Sequence, residues 1–218
     1  LNKELYKKFF LTVEEIQAIR EGYIYIHDMS ARRDTMNCCL FDVKNVLSGG
    51  FEMGNLWYNE PKTLDTAFDV IGDIVLSAAS QQYGGFTVPS VDEILEPYAE
   101  KSHKKLIEKY RGLGLDEETV QKVAWADLEK EMEQGFQGWE YKFNSVSSSR
   151  GDYPFITVTA GTRTSIYGKL ATIKMLEVRK NGQGKDGHKK PVLFPKIVFL
   201  YDENLHGPGK PLEDVFEA

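Results

Sequence analysis

The feature that most constrains this chain is one long run of apolar residues at helical spacing. Val120, Val123, Ala124, Leu128, Met132, Phe136, Trp139 and Phe143 recur every three or four positions behind Asp116, a residue type that caps helices. Unbroken to Asn144, such a helix is roughly 40 Å long at 1.5 Å per residue, more than a small domain needs internally. Two further helical stretches precede it. Leu64, Ala67, Phe68, Ile71, Ile74, Val75 and Ala78 follow Pro61-Lys62-Thr63 and run to about Gln82, where Gly84-Gly85 stops them. Ser90 and Glu93 have capping-box spacing ahead of Ile94, Leu95, Tyr98, Leu106 and Tyr110, and Pro97 stands where it can bend that helix. Three successive helices, two of them long, predict a packing surface that extends beyond one subunit.

The remaining pattern is extended. Residues 23–26 are a short aromatic and β-branched run, read as a buried strand ending at His27-Asp28. A basic loop with Arg32 and Arg33 leads to a second extended segment, residues 36–41, and Gly49, Gly50 and Gly54 punctuate the turn beyond it. A polar turn over 147–152 precedes a strand at 154–160. A helix at 165–180 follows, with Ile166, Leu170, Ile173 and Leu176 on one stripe, and then an apolar strand within 192–201. Strand, helices, strand, helix, strand is the order of an α/β fold. No internal repeat or linker divides it, so the chain reads as one domain piece. It opens on Leu1 inside a helix-like pattern and closes as an acidic, apolar-periodic segment begins, which suggests a piece of a longer polypeptide.

Charge and cysteine content narrow the function classes. A net charge of −6 argues against broad nucleic-acid binding, and no apolar run approaches the roughly 20 residues that span a bilayer. The expectation is a soluble, cytoplasmic protein with no nucleic-acid or membrane partner. Cys38 and Cys39 are the only cysteines; adjacent, they cannot form a disulfide framework, nor supply a zinc site that needs three or four thiolates. The four histidines lack metal-ligand spacing, so no metal site is expected in this chain. Neighbours on an extended segment face opposite ways, so at most one of the two thiols lines a given site. Composition alone leaves both as ordinary buried thiols.

Other motifs read as structure. Gly182, Gly184 and Gly187 match a dinucleotide fingerprint, but they close a helix and precede a strand, the reverse of what that site requires. Arg150-Gly151-Asp152 reads as a turn. Trp125 and Trp139, fourteen residues apart, share a helix face and fit packing better than base stacking.

Eight segments together resemble one family. They are Ile26-His-Asp, Asn37-Cys-Cys-Leu-Phe-Asp, Gly49-Gly-Phe-Glu-Met-Gly-Asn, Ser80-Gln-Gln-Tyr-Gly-Gly, Val91-Asp-Glu-Ile-Leu-Glu-Pro-Tyr, Phe136-Gln-Gly-Trp-Glu-Tyr, Asp152-Tyr-Pro-Phe-Ile-Thr and Pro191-Val-Leu-Phe-Pro-Lys. In this order, and over nearly the whole chain, they resemble the catalytic subunit of anaerobic (class III) ribonucleoside-triphosphate reductases, which are glycyl-radical enzymes. The resemblance implies part of a ten-stranded α/β barrel with a long-helix surface for dimerisation and effectors. It further implies reduction of ribonucleoside triphosphates at C2′ to deoxyribonucleotides, with formate as the common reductant. A homodimer, ATP and dNTP effectors, and a radical-SAM activating enzyme come with it. The residues matched cover residues 1–218 as the first part of the barrel. The ATP-binding region, the radical-loop cysteine, the structural zinc site and the glycyl-radical segment fall outside, so the isolated piece is expected to be inactive.

Carried over residue by residue, the resemblance makes Cys38, next to Asn37, the catalytic thiol, and assigns Cys39 to packing. It places His27 at the substrate and Lys62, after Pro61, at the dNTP effector. A competing expectation is a nucleotide-binding dimerisation module that performs no chemistry.

Overall fold

The computed structural model describes residues 2–26, 29, 36–82, 84–147 and 153–218. Helices α1 (Asn2–Phe10) and α2 (Val13–Arg20) come first, the second opened by a capping box between Thr12 and Glu15. Strand β1 (Cys39–Leu40) leads through the short α3 (Val43–Leu47) to a hairpin of β2 (Phe51–Met53) and β3 (Leu56–Tyr58). Helix α4 (Leu64–Ser80), β4 (Phe86–Val88), α5 (Val91–Arg111) and α6 (Glu117–Ser145) follow. The chain continues through β5 (Ile156–Ala160), α7 (Ile166–Asn181), β6 (Lys196–Phe199), α8 (Glu203–His206) and α9 (Glu213–Glu217).

Strands β1, β4, β5 and β6 form one sheet in that order, and every pair is parallel. Parallel neighbours need crossovers, and here each crossover carries long helix. The result is an α/β fold, as the order of sequence patterns predicts. Phe86, Val88, Ile156, Val158 and Ala160 are buried in the core that the sheet shares with α4, α5, α6 and α7. The alternate positions turn the other way: Thr87, Thr157 and Thr159 are only partly covered, Leu40 is 77% exposed and Val198 45%. Parallel sheets are ordinarily covered on both faces. Among the described residues, this one is covered on a single face.

Helix α6 runs as the apolar spacing predicts, with Asp116 accepting from the Thr119 N–H at its start. Its stripe of Val120, Ala124, Leu128, Met132, Phe136, Trp139 and Phe143 is buried against α4, α5 and α7. Phe68 of α4 meets Phe136 and Trp139 edge-on, with centroids 5.0 and 4.9 Å apart, and the Trp139 indole donates to the Phe68 carbonyl at 2.8 Å. That approach requires a glycine at 135, where a Cβ would lie 2.2 Å from the Phe68 ring. Polar ties lock the layers. Buried Asp92 accepts from the backbones of Glu93, Gly161 and Arg163 at 3.0, 3.0 and 3.3 Å, pinning the start of α5 to the end of β5. Buried Glu140 of α6 takes Arg179 of α7 at 2.6 Å and Gln183 at 2.6 Å, while Arg179 also donates to the Pro195 carbonyl.

Several local expectations are corrected. Residues 23–26 are neither strand nor core: Tyr23 and Tyr25 are more than 80% exposed. The N–H groups of Tyr23 and Ile24 fold back to the Ala18 carbonyl at the end of α2, which removes them from any ladder. Ser90 makes no capping box. It sits in the left-handed region (φ 51°) as the chain leaves β4, and its N–H goes to Thr159 Oγ1, while Glu93 pairs with Lys44 at 2.6 Å. The buried stripe of α7 is Leu170, Ala171, Met175 and Val178, with Ile166 58% exposed. Gly168 is buried against Arg163 and Ser165 of the preceding loop, where a Cβ would lie 2.4 Å from the Arg163 Cβ. The glycine-punctuated turn after Gly49 is a hairpin. The Gly182 motif does close α7, with Gly182 at φ 66°. Arg150-Gly151-Asp152 lies outside the described residues.

Candidate functional site

The amino-terminal end of β1 is built on a Gly-Gly step. The Gly84 N–H donates to the Asn37 carbonyl at 2.6 Å, and the Cys39 N–H donates to the Gly85 carbonyl at 3.1 Å. Between these bonds the Gly85 N–H reaches Cys38 Sγ at 3.3 Å. A Cβ on Gly84 would stand 2.4 Å from Asn37 Oδ1, 2.7 Å from its carbonyl oxygen and 2.7 Å from Cys38 Sγ, so only glycine lets the two segments close.

The two thiols separate as alternation requires. Cys39 is partly buried against the core beneath the sheet, and the Gln82 amide donates to its sulfur at 2.7 Å. Phe41, two residues on, shares that side and packs its ring on Phe86 at 5.0 Å. Cys38 is exposed and lies with Leu40 on the uncovered side. Its sulfur accepts from an amide, which leaves its own S–H hydrogen free to meet a ligand on that face. This arrangement can present one weakly held hydrogen atom from a positionally fixed sulfur.

Other expected site residues lie apart from it or outside the described chain. His27 lies outside the described residues. Lys62 is exposed at the start of α4, the helix whose far end leads to Gly84, about 25 Å away at 1.5 Å per residue. The structure therefore does not bring Lys62 and Cys38 together. The Leu64 and Asp65 N–H groups at that helix start are already bound by Ser102 Oγ (2.8 Å) and Glu131 (2.9 Å). In the sequence Gly84-Gly85 reads as a helix stop and as part of a segment that resembles the family; its position directly after a helix and before a strand is the signal that it braces Asn37 and Cys38. Asp92 stands in one of the segments that resemble the family, but nothing in its sequence setting marks it as the tie between α5 and β5.

Among the described residues no group of three or more His, Cys, Asp or Glu could hold a metal ion. Two thiols facing opposite sides of one strand do not fit a zinc site. His206 is buried with its Nε2 on the Gly161 carbonyl at 2.6 Å, and His103 sits on Tyr167 Oη at 3.0 Å; both serve the packing. No helix among the described residues is long and apolar enough to cross a membrane.

A family model described as anaerobic ribonucleoside-triphosphate reductase matches residues 1–217. Among curated relatives carrying that name, the Haemophilus influenzae protein is 35% identical over 98% of this chain and 30% of its own length. The phage T4 protein is 34% identical over 88% of this chain and 31% of its own length, and the Escherichia coli protein is 33% identical over 98% and 30%. The chain thus spans about a third of the relatives it matches. In fold it is similar to the Thermotoga maritima anaerobic ribonucleotide reductase solved with dATP in its specificity site, with TM-score 0.62 and 17% identity over 95% of this chain and 36% of that one. A second anaerobic ribonucleotide reductase structure gives TM-score 0.62 at 16% identity, over 90% of this chain and 32% of that one. With a match that runs from the first residue to the last but one, this chain belongs to the anaerobic ribonucleoside-triphosphate reductase family.

Proposed function

We propose that this chain forms the first part of the catalytic barrel of an anaerobic reductase that converts ribonucleoside triphosphates to deoxyribonucleotides in the cytoplasm. The observation that carries the reading is the exposed Cys38 thiol, held by Gly85 on the uncovered sheet face while Cys39 turns into the core. The uncovered face of the sheet is read as the barrel lumen. A glycyl radical and a second cysteine, both outside this chain, supply the oxidising equivalent at the ribose, and formate supplies the electrons.

Within this chain the work falls to Cys38. Once the ribose radical has lost its 2′-hydroxyl as water, C2′ must receive a hydrogen atom. The Cys38 S–H bond breaks homolytically, the hydrogen goes to C2′, and the sulfur keeps the unpaired electron. Asn37 positions that sulfur through its backbone bond to Gly84, and His27 contacts the substrate. At the other end of α4, Lys62 contacts a dNTP effector, with the long helices α4, α5 and α6 forming the surface that meets a second copy. A radical-SAM enzyme activates the whole protein.

The test is direct. The full-length reductase containing this chain, activated without oxygen and given formate, should form deoxynucleotide, and residues 1–218 alone should form none. Product from the isolated piece, or none from the activated whole, would overturn the reading.

A further inference from the structure

Among the described strand residues, the uncovered face of the sheet carries one charge. Register runs Leu40 to Thr87 to Thr157 to Lys196 across the four strands. Thr159 and Val198 form the next row up, so Lys196 is the charged residue among the described strand positions on that side. Its ammonium has no carboxylate within ion-pair reach among the described residues. Its contact is instead the ring of Phe155, with Nζ 4.3 Å from the centroid.

That contact tilts the charge toward Cys38. Cys39 is level with Phe86 and Phe86 with Ile156, so the residues one step earlier, Cys38, Gly85 and Phe155, share a row. Phe155 is 52% exposed, braced edge-on by buried Phe194 at 5.1 Å. Lys196 therefore leans back from its own row to the level of the thiol. Gly85, between Cys38 and Phe155, has no side chain to fill the floor. At about 4.8 Å per strand, Cys38 and Phe155 are roughly 10 Å apart and the Lys196 strand about 14 Å from Cys38. A triphosphate tail running from a ribose held at the thiol covers that interval.

We propose that Lys196, steadied by the Phe155 ring, binds the phosphates of the substrate nucleotide on this face. The inference rests on the reading that Cys38 faces the substrate. An unpaired ammonium on an otherwise uncharged face suits a polyphosphate, for which lysine acts as a point charge. A neutral or cationic ligand would gain nothing from it.

The experiment uses the whole reductase, radical-free and under argon, and follows alkylation of Cys38 by iodoacetamide with peptide mass spectrometry. CTP and cytidine are the protecting probes. In the parent protein CTP should protect Cys38, and in Lys196→Met the CTP concentration for half-protection should rise about ten- to hundredfold, as for a lost charge-assisted contact. Cytidine, with no phosphate, should protect both proteins equally, and Lys196→Arg should stay within a few-fold of the parent. Failure of CTP to protect the parent would contradict the reading of the Cys38 face itself. Protection that Lys196→Met leaves unchanged, or a loss equal for cytidine and CTP, would overturn the role of Lys196 alone.

Discussion

The backbone N–H of Gly85 meets the sulfur of Cys38 at 3.3 Å, so this exposed side chain is held by a neighbouring segment's backbone. Main-chain bonds on either side, from Gly84 to Asn37 and from Cys39 to Gly85, keep that geometry. A thiol fixed in this way can be exposed without being mobile, which is what transfer of a hydrogen atom to a defined carbon requires.

Gly84→Ala should break this arrangement. Its methyl would stand 2.7 Å from both the Asn37 carbonyl oxygen and Cys38 Sγ, and the carbonyl cannot rotate away without losing its bond. Expected costs are about 1–3 kcal/mol of stability and a changed alkylation rate at Cys38. At Gly85 the nearest atom to an added methyl is 3.9 Å away, so Gly85→Ala should be tolerated in thermal unfolding. Equal stability of the two variants would contradict the contact.

His103 predicts a pH dependence. Burial among Trp125 and Tyr167 pushes its pKa below the usual 6.5, and its neighbours Lys104 and Glu100 pair with each other at 2.6 Å. A folded pKa below the unfolded one means the unfolded chain binds more protons in between. The stabilisation is therefore complete above pH 6.5 and is lost as the pH falls below it toward the folded value. Hydrogen exchange in α5 should slow less between pH 7.5 and 5.5 than the base-catalysed intrinsic rate does, as protection falls, and His103→Phe should remove that difference. An unaltered pH slope in the variant would count against it.

Much of this fold could be read in advance because its helices are amphipathic and long. The stripe from Val120 to Phe143 and the Asp116 cap need only periodicity, and both are present. What could not be read depended on tertiary partners. Tyr23 to Ile26 has strand composition, but the amides of Tyr23 and Ile24 are claimed by the Ala18 carbonyl. Ser90 has capping-box spacing, yet the exit from β4 forces a left-handed backbone there. At the site, alternation alone separates Cys38 from Cys39, whereas the role of Gly84-Gly85 appears only when two segments more than forty residues apart meet. Lys196 was hidden for the same reason, since its meaning lies in what stands beside it on the other strands.

Lys62 tests the effector assignment. Ser102 and Glu131 occupy the first amides of α4, so a phosphate there would be bound through the ammonium and not through the helix end. A charge-assisted contact contributes about 1.5–3 kcal/mol, so Lys62→Ala in the full-length reductase should shift the dNTP effector titration about ten- to hundredfold. A titration that does not move would return Lys62 to a solvated helix-start lysine.

The most direct measurement compares the adjacent cysteines in the activated full-length reductase, scoring deoxynucleotide product and the glycyl-radical signal together. Cys38→Ser should form the radical and make no product, because a hydroxyl holds its hydrogen too strongly to give it up as an atom. Cys39→Ala removes a sulfur packed on the core and bonded to Gln82, so it should turn over while losing about 1–2 kcal/mol of stability. Normal product from Cys38→Ser with a dead Cys39→Ala would contradict the account, placing the reactive thiol on the opposite side of the strand.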